Sequence, residues 1–226
     1  MSEGQGEAVA PDCEERECSR IEAFSDGVFA IAITLLVLDL IEIPPAENGE
    51  HLFQVYLHHW GSFLAFGVGF CTILVCWINH HHLFRYFRRF DSRMIWLNGF
   101  LLLLVTFAPF PTSLLAEYAT RGDRDAVITF GFGYFMMALA YNLLWSYGCR
   151  HNLLVRTESP AYYSAIRTTY RAATVYNLVA FGVCFYSVPV AIAMYLLMFG
   201  VFAFPREFAL RLVRITSSES TRTATR

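Results

Sequence analysis

Phe24-Ser25-Asp26-Gly27-Val28-Phe29-Ala30-Ile31-Ala32-Ile33-Thr34-Leu35-Leu36-Val37-Leu38-Asp39-Leu40-Ile41-Glu42-Ile43 is almost wholly apolar and is stopped by Pro44 and Pro45. Its length, about 20 residues, is what a helix needs to cross the hydrocarbon core of a bilayer. A helix satisfies its backbone hydrogen bonds internally, which is the condition for spanning lipid. Polar side chains within it, Ser25, Asp26, Thr34 and Asp39 among them, with Arg20 just before it, are costly at such depth and usually mark function or assembly.

Outward from this run the pattern repeats. Comparable stretches run from about Trp60 to Asn79, Ile95 to Leu115 and Ala126 to Tyr147. The apolar stretch from Ala172 to Phe204 is too long for one span, and Ser187-Val188-Pro189 supplies a turn signal near its middle. Splitting it there gives six spans. Of the 17 basic residues, all arginine, only Arg121 and Arg124 fall on the outer side of a six-span arrangement with the N-terminus inside. Five spans would export Arg206, Arg211, Arg214, Arg222 and Arg226, against the tendency of basic residues to stay cytoplasmic. The expected architecture is therefore all-α, with both termini inside. Residues 1–19 form a polar cytoplasmic N-terminus, 20–215 the membrane domain and 216–226 a disordered tail.

Composition agrees. With 56% apolar and only 16% charged residues and a mean hydropathy of +0.42, the chain is too apolar for an ordinary soluble domain. Its arginines track topology and leave no nucleic-acid footprint. The six cysteines form no CxxC pair, so neither a zinc site nor a disulfide framework is expected. No short apolar segment with a basic flank precedes the first span, so no cleaved signal peptide is expected. His80-His81-His82 invites a metal-enzyme reading, but only His151 joins them on the inner side. No resident metal, cofactor or catalytic arrangement is expected.

The topology gathers the polar residues. The first span starts on the inner side, the second ends there and the third begins there. Arg20 to Asp26, Asn79 to His82, and Trp96 to Asn98 then share one depth. A buried Asp26 needs partners, which Arg20, the histidines or the Trp96 indole can supply. Two readings stand: a network that locks helices together, or one that takes part in transport.

Arg20-Ile21-Glu22-Ala23-Phe24-Ser25-Asp26-Gly27 has the form RxxxFSDG at the inner start of the first span. Trp77-Ile78-Asn79-His80-His81-His82, Trp96-Leu97-Asn98 and Pro109-Phe110-Pro111-Thr112 follow in order. This pattern resembles the bacterial relatives of the endolysosomal potassium channel called transmembrane protein 175. The resemblance implies a homotetramer of six-helix subunits in the cell membrane, with the first helix of each lining a central pore. It implies a potassium-permeable, weakly selective leak channel without the usual filter loop. Ile31 would be the hydrophobic constriction, with Thr34, Leu35 and Leu38 on the pore face beyond it. Permeant monovalent cations, membrane lipids and other copies of the chain are the expected partners.

Helical geometry is compatible with that face. At 100° per residue, with Ile31 at zero, Gly27 lies at about -40°, Thr34 at about -60°, Leu35 at about +40° and Leu38 at about -20°. Asp39 lies near +80°, at the rim of the face and the outer mouth, where four copies would form an acidic ring. Asp26 lies near -140°, away from the pore, which favours assembly over ion coordination. Gly67-Val68-Gly69-Phe70 and Gly131-Phe132-Gly133-Tyr134 imitate potassium filter sequences but lie within full-length spans, where glycine permits close helix approach. The alternatives are a secondary cation or proton-coupled transporter, which would show broken helices near the midplane, and a non-conducting scaffold.

Overall fold

The computed structural model describes residues 13–41, 43, 51–118, 123–155 and 159–203. Among them every regular element is a helix: α1 (Cys13–Leu35), α2 (Leu38–Ile41), α3 (Leu52–His58), α4 (Trp60–Phe84), α5 (Ser92–Phe107), α6 (Pro109–Tyr118), α7 (Arg124–Arg150), α8 (Pro160–Cys184) and α9 (Val188–Ala203). Three segments are long and apolar enough to cross a membrane: Trp60–Phe84, Ser92–Leu115 and Arg124–Arg150, with a shorter apolar helix at Val188–Met198. The tail at 216–226 and the first residues of the chain lie outside the described residues.

Several boundaries differ from the sequence reading. The first helix begins at Cys13, well inside the segment expected to be a polar terminus. It is also interrupted: Leu36 and Val37 form a turn, closed by Val37 N–H to the Thr34 carbonyl at 3.4 Å, before α2 resumes. α8, where the fifth span was expected, begins at Pro160, 12 residues before the apolar stretch does. Ser159 caps it by accepting from the Tyr162 amide, and Pro160 occupies the first turn, where its missing N–H costs nothing. The break between α5 and α6 falls at Ala108, just before Pro109, because proline cannot donate to the helix and disfavours helical geometry in the residue before it.

α1 packs on α4 and α5, α7 packs on α5, α6 and α8, and α8 packs on α9. The larger core joins Phe29, Leu36, Ile73, Leu83, Met94, Leu101, Val105, Leu144 and Trp145. A second, around Val127, Phe130, Ala180, Cys184, Ala191 and Tyr195, joins α7, α8 and α9. In lipid no hydrophobic gain separates packed from unpacked helices, so close fit decides. Two mid-helix glycines supply it. A Cβ on Gly69 would stand 2.9 Å from a Leu36 methyl, and one on Gly131 would stand 2.9 Å from the Cys184 sulfur and 2.7 Å from the Tyr195 hydroxyl. Both filter-like tetrapeptides lie inside continuous helices.

The two inner loops are clasped. Phe87 and Leu154 form an antiparallel bridge. Arg88 N–H donates to the Leu153 carbonyl at 2.9 Å, and Val155 N–H donates to the Tyr86 carbonyl at 2.8 Å. Cys18 of α1 donates to the Arg88 carbonyl at 3.1 Å. Asp91 caps α5 by accepting from Met94 N–H at 2.8 Å and accepts from the Tyr147 hydroxyl at 2.6 Å. Burial pushes the Asp91 carboxyl up, but these two donors and the neighbouring His151 and Arg93 outweigh it and hold it below its ordinary value.

Candidate pore face and inner polar network

The side of α1 turned towards α4 and α5 carries Ser25, Phe29, Ala32 and Leu36, all 2% exposed or less. On the helical wheel these residues lie between roughly 100° and 160° from Ile31. The opposite side carries Phe24, Ile31 and Leu35, exposed by 66%, 60% and 50%, together with exposed Gly27 and Thr34. The stripe singled out from the sequence is thus exposed, with no covering element among the described residues. Leu38 is also 50% exposed, although the turn at Leu36–Val37 means that it does not continue the register of α1. Thr34 donates its hydroxyl proton to the Ile31 carbonyl at 2.9 Å, which leaves the oxygen lone pairs on the uncovered side. The Asp39 side chain lies outside what the structure describes.

Behind the stripe the inner ends of α1, α4 and α5 are cross-linked. His80 Nε2 donates to Asn98 Oδ1 at 2.9 Å, Asn98 Nδ2 donates to Ser25 Oγ at 2.9 Å, and Ser25 donates to the Ile21 carbonyl at 2.8 Å. An amide oxygen can only accept, so His80 carries its proton on Nε2. Its ring packs on Phe84, with centroids 3.9 Å apart, and on Phe29 at 5.3 Å. Ser25, His80 and Asn98 are all fully or almost fully buried. A second link joins α1 to α4: the Trp77 indole N–H donates to Asp26 Oδ1 at 2.7 Å. A third pairs His81 Nδ1 with Glu22 at 3.2 Å, half-exposed and stacked on Trp77.

Four residues expected in this network stand apart from it. Trp96 is 81% exposed, because two residues along a helix place it about 200° from Asn98. Arg20 is exposed and forms no ion pair with Asp26 among the described residues. Six residues separate these two, which sets them roughly 120° apart on the wheel. Phe24 and Gly27 belong to the uncovered stripe. The indole that Asp26 needs comes from Trp77, and a signal for it was present: Trp77 stands one turn before His81, on the same face of α4. Among the described residues no cluster of histidine, cysteine or carboxylate could hold a metal ion.

Comparison with known proteins places the chain. The model of the family described as "Endosomal/lysosomal potassium channel TMEM175" matches residues 20–109. The chain is similar to a potassium channel of Chamaesiphon minutus, with 43% identity over 77% of this chain and 88% of the relative. It is similar to a potassium channel of Streptomyces collinus, with 38% identity over 78% of this chain and 87% of the relative. A crystal structure of the TMEM175 homologue from Chamaesiphon minutus, described as lysosomal potassium-selective, superposes with a TM-score of 0.69 at 40% identity. That superposition covers 83% of this chain and 97% of that one.

Proposed function

The chain belongs to the TMEM175 family of ion channels, and from that premise we propose that it is a potassium-permeable, weakly selective leak channel. Four copies bring the uncovered stripe of α1 around a common axis in the cell membrane, each subunit crossing six times with both ends cytoplasmic. The observation that carries this reading is the contrast across α1. One side is held by buried hydrogen bonds, and the other leaves Ile31, Leu35 and Phe24 exposed among the described residues.

Ile31 forms the constriction. A ring of butyl side chains offers no oxygen to replace an ion's water, so passage depends on wetting and on partial dehydration. The larger potassium ion sheds water more easily than sodium, which yields a modest preference without a filter loop. One turn further out, Thr34 offers oxygen lone pairs to a partly hydrated ion. Asp39 gathers cations at the outer mouth. The inner network keeps α1 from rotating this stripe away from the axis. No cofactor takes part, and potassium is the cargo.

The test is potassium flux from liposomes containing the purified chain, driven by a gradient, with valinomycin and empty vesicles as controls. Flux above empty vesicles, with sodium flux somewhat lower, is expected. Flux indistinguishable from empty vesicles in preparations that are tetrameric by native mass spectrometry would overturn the reading.

A further inference from the structure

Away from α1, a cavity of about 100 Å³ lies at mid-depth of the bundle, walled by one face each of α4, α7, α8 and α9. Thr72, Cys76 and Asn79 come from α4, Tyr134 and Tyr141 from α7, and Asn177 from α8. No residue of α1 and no charged side chain lines it. Its polar groups show a bias. Tyr134 spends its proton on Thr72 Oγ1 at 2.9 Å, and Tyr141 on the Cys76 carbonyl at 2.6 Å. Both asparagines turn their amide N–H back onto their own helix, Asn79 to the Val75 carbonyl at 2.8 Å and Asn177 to the Ala173 carbonyl at 2.9 Å. The Asn177 amide donates also to the Met198 sulfur at 3.1 Å. These carbonyl partners fix which end of each amide is nitrogen, since a flipped amide would set two acceptors face to face.

The Asn177 oxygen is left over. Asn177 is fully buried and its Oδ1 has no partner. A buried acceptor without a donor costs about 1–3 kcal/mol. Tyr195 of α9 lines the cavity as well, and its hydroxyl, against Gly131 and beside Cys184, is likewise unpaired. Asn177 therefore asks an occupant for a hydrogen-bond donor, the Tyr195 hydroxyl can give one in return, and the lining offers no charge to balance.

Access comes from the side. A groove of about 410 Å³ between α8 and α9, lined by Thr168, Thr169, Ala172, Tyr176 and Leu197, shares Ala173 and Met198 with the cavity. Thr168, Thr169, Ala172 and Leu197 are exposed on the surface of the chain. On the six-span reading proposed above, on which this inference rests, the groove opens to the bilayer, so the occupant arrives as a membrane solute. A volume of this order takes a group about the size of a small ring or a few methylenes, and the groove takes the rest of an aliphatic chain.

We infer that this cavity binds a neutral, hydroxyl-bearing amphiphile from the bilayer, whose hydroxyl donates to Asn177 while its chain lies between α8 and α9. The juxtaposition that carries the inference is an unpaired, fully buried amide oxygen at the inner end of a groove open to lipid.

The experiment uses the purified full chain in liposomes and a photoreactive diazirine derivative of 1-octanol, with adducts mapped by mass spectrometry. Saturable labelling of α8 and α9 peptides around Ala173, Asn177 and Met198 is expected. Excess 1-octanol should suppress it, and 2-octanone, which accepts but cannot donate, should compete about five- to tenfold more weakly, as loss of one hydrogen bond predicts. Asn177→Leu should erase that preference while leaving potassium flux at the wild-type level. Ala173→Phe, which plugs the junction, should abolish saturable labelling and provides a second variant should Asn177→Leu fail to fold. Equal competition by the ketone, labelling that never saturates, as expected of a cavity holding only water, or labelling unchanged in Ala173→Phe would each overturn the proposal.

Discussion

Along α1 and the turn that leads into α2, Ser25, Phe29, Ala32 and Leu36 are sealed against α4 and α5, whereas Phe24, Ile31, Leu35 and Leu38 are half or more exposed. The two sides are about equally apolar, so hydrophobicity does not choose between them. What differs is the neighbourhood. The sealed side has Gly69, which lets Leu36 approach α4, and Ser25, which is tied through Asn98 to His80. The exposed side has Gly27 with nothing near it. In lipid, where burying a methyl group gains little, close fit and hydrogen bonds orient a helix, and the remaining face is free to meet other copies.

Changing one residue on each side is the most forceful way to break this contrast. Ile31→Asn should raise single-channel conductance severalfold and flatten the potassium preference, because an amide ring holds water where a butyl ring expels it. Ile33→Asn, about 200° away and packed against the core, should lower expression and leave selectivity alone. An Ile31→Asn channel with wild-type conductance and selectivity would mean that the exposed side is not the pore.

The sealed side can be loosened without touching the stripe. Asn98→Leu removes the acceptor of the His80 N–H and the donor to Ser25, and should cost about 1–3 kcal/mol. The measurement is thermal unfolding in detergent. Trp96→Leu, two residues away but outside the network, should leave the melting temperature nearly unchanged. Equal losses in the two variants would remove the network's orienting role.

A double-mutant cycle of Trp77→Phe and Asp26→Asn should give a coupling of about 0.5–1.5 kcal/mol, within the range of measured membrane hydrogen bonds. Arg20→Ala should show no coupling to Asp26. Additive effects of the first pair would separate the indole from the carboxylate. Asp39→Asn should lower conductance chiefly at low ionic strength, since salt screens a field at the mouth. A loss that is equal at all salt concentrations would point to direct coordination instead.

The smallest expected effect concerns the inner loops and is read from pH. Because Asp91 is held below its ordinary value in the fold, its contribution is present above the unfolded value of about 3.9 and is lost as pH falls through the lower folded value. Wild type should therefore be more stable than Asp91→Asn at pH 7, and the gap should close below about pH 4. A gap that stays constant across that range would show that the carboxylate charge contributes nothing.

How far the sequence reaches is instructive at particular residues. The turn at 185–187 falls close to Ser187-Val188-Pro189, because a break between apolar helices needs turn chemistry and leaves it visible. Apolarity alone does not mark the start of α8, because its first turns are amphipathic; Ser159-Pro160 marks it through capping. The interruption at Leu36–Val37 has no such mark, since leucine and valine suit a helix and only the surroundings bend it. The helical wheel turns Asp26 away from the exposed stripe, but depth alone does not name its partner. Depth admits Trp96 and Trp77 alike, and only the facing of α4 towards α1 selects Trp77.

The clasp between the two inner loops also constrains the order of biosynthesis. Tyr86 and Arg88 are made early, but Leu153 and Val155, which satisfy their backbone groups, leave the ribosome only after α5, α6 and α7. Until then the backbone groups of the loop after α4 have to be satisfied by water. Cys18 of the first helix reaches the same loop at the Arg88 carbonyl. The inner end of the earliest helix is therefore anchored to a loop that a much later stretch of the chain completes, and a nascent chain halted before Leu153 carries its first helix without that clasp.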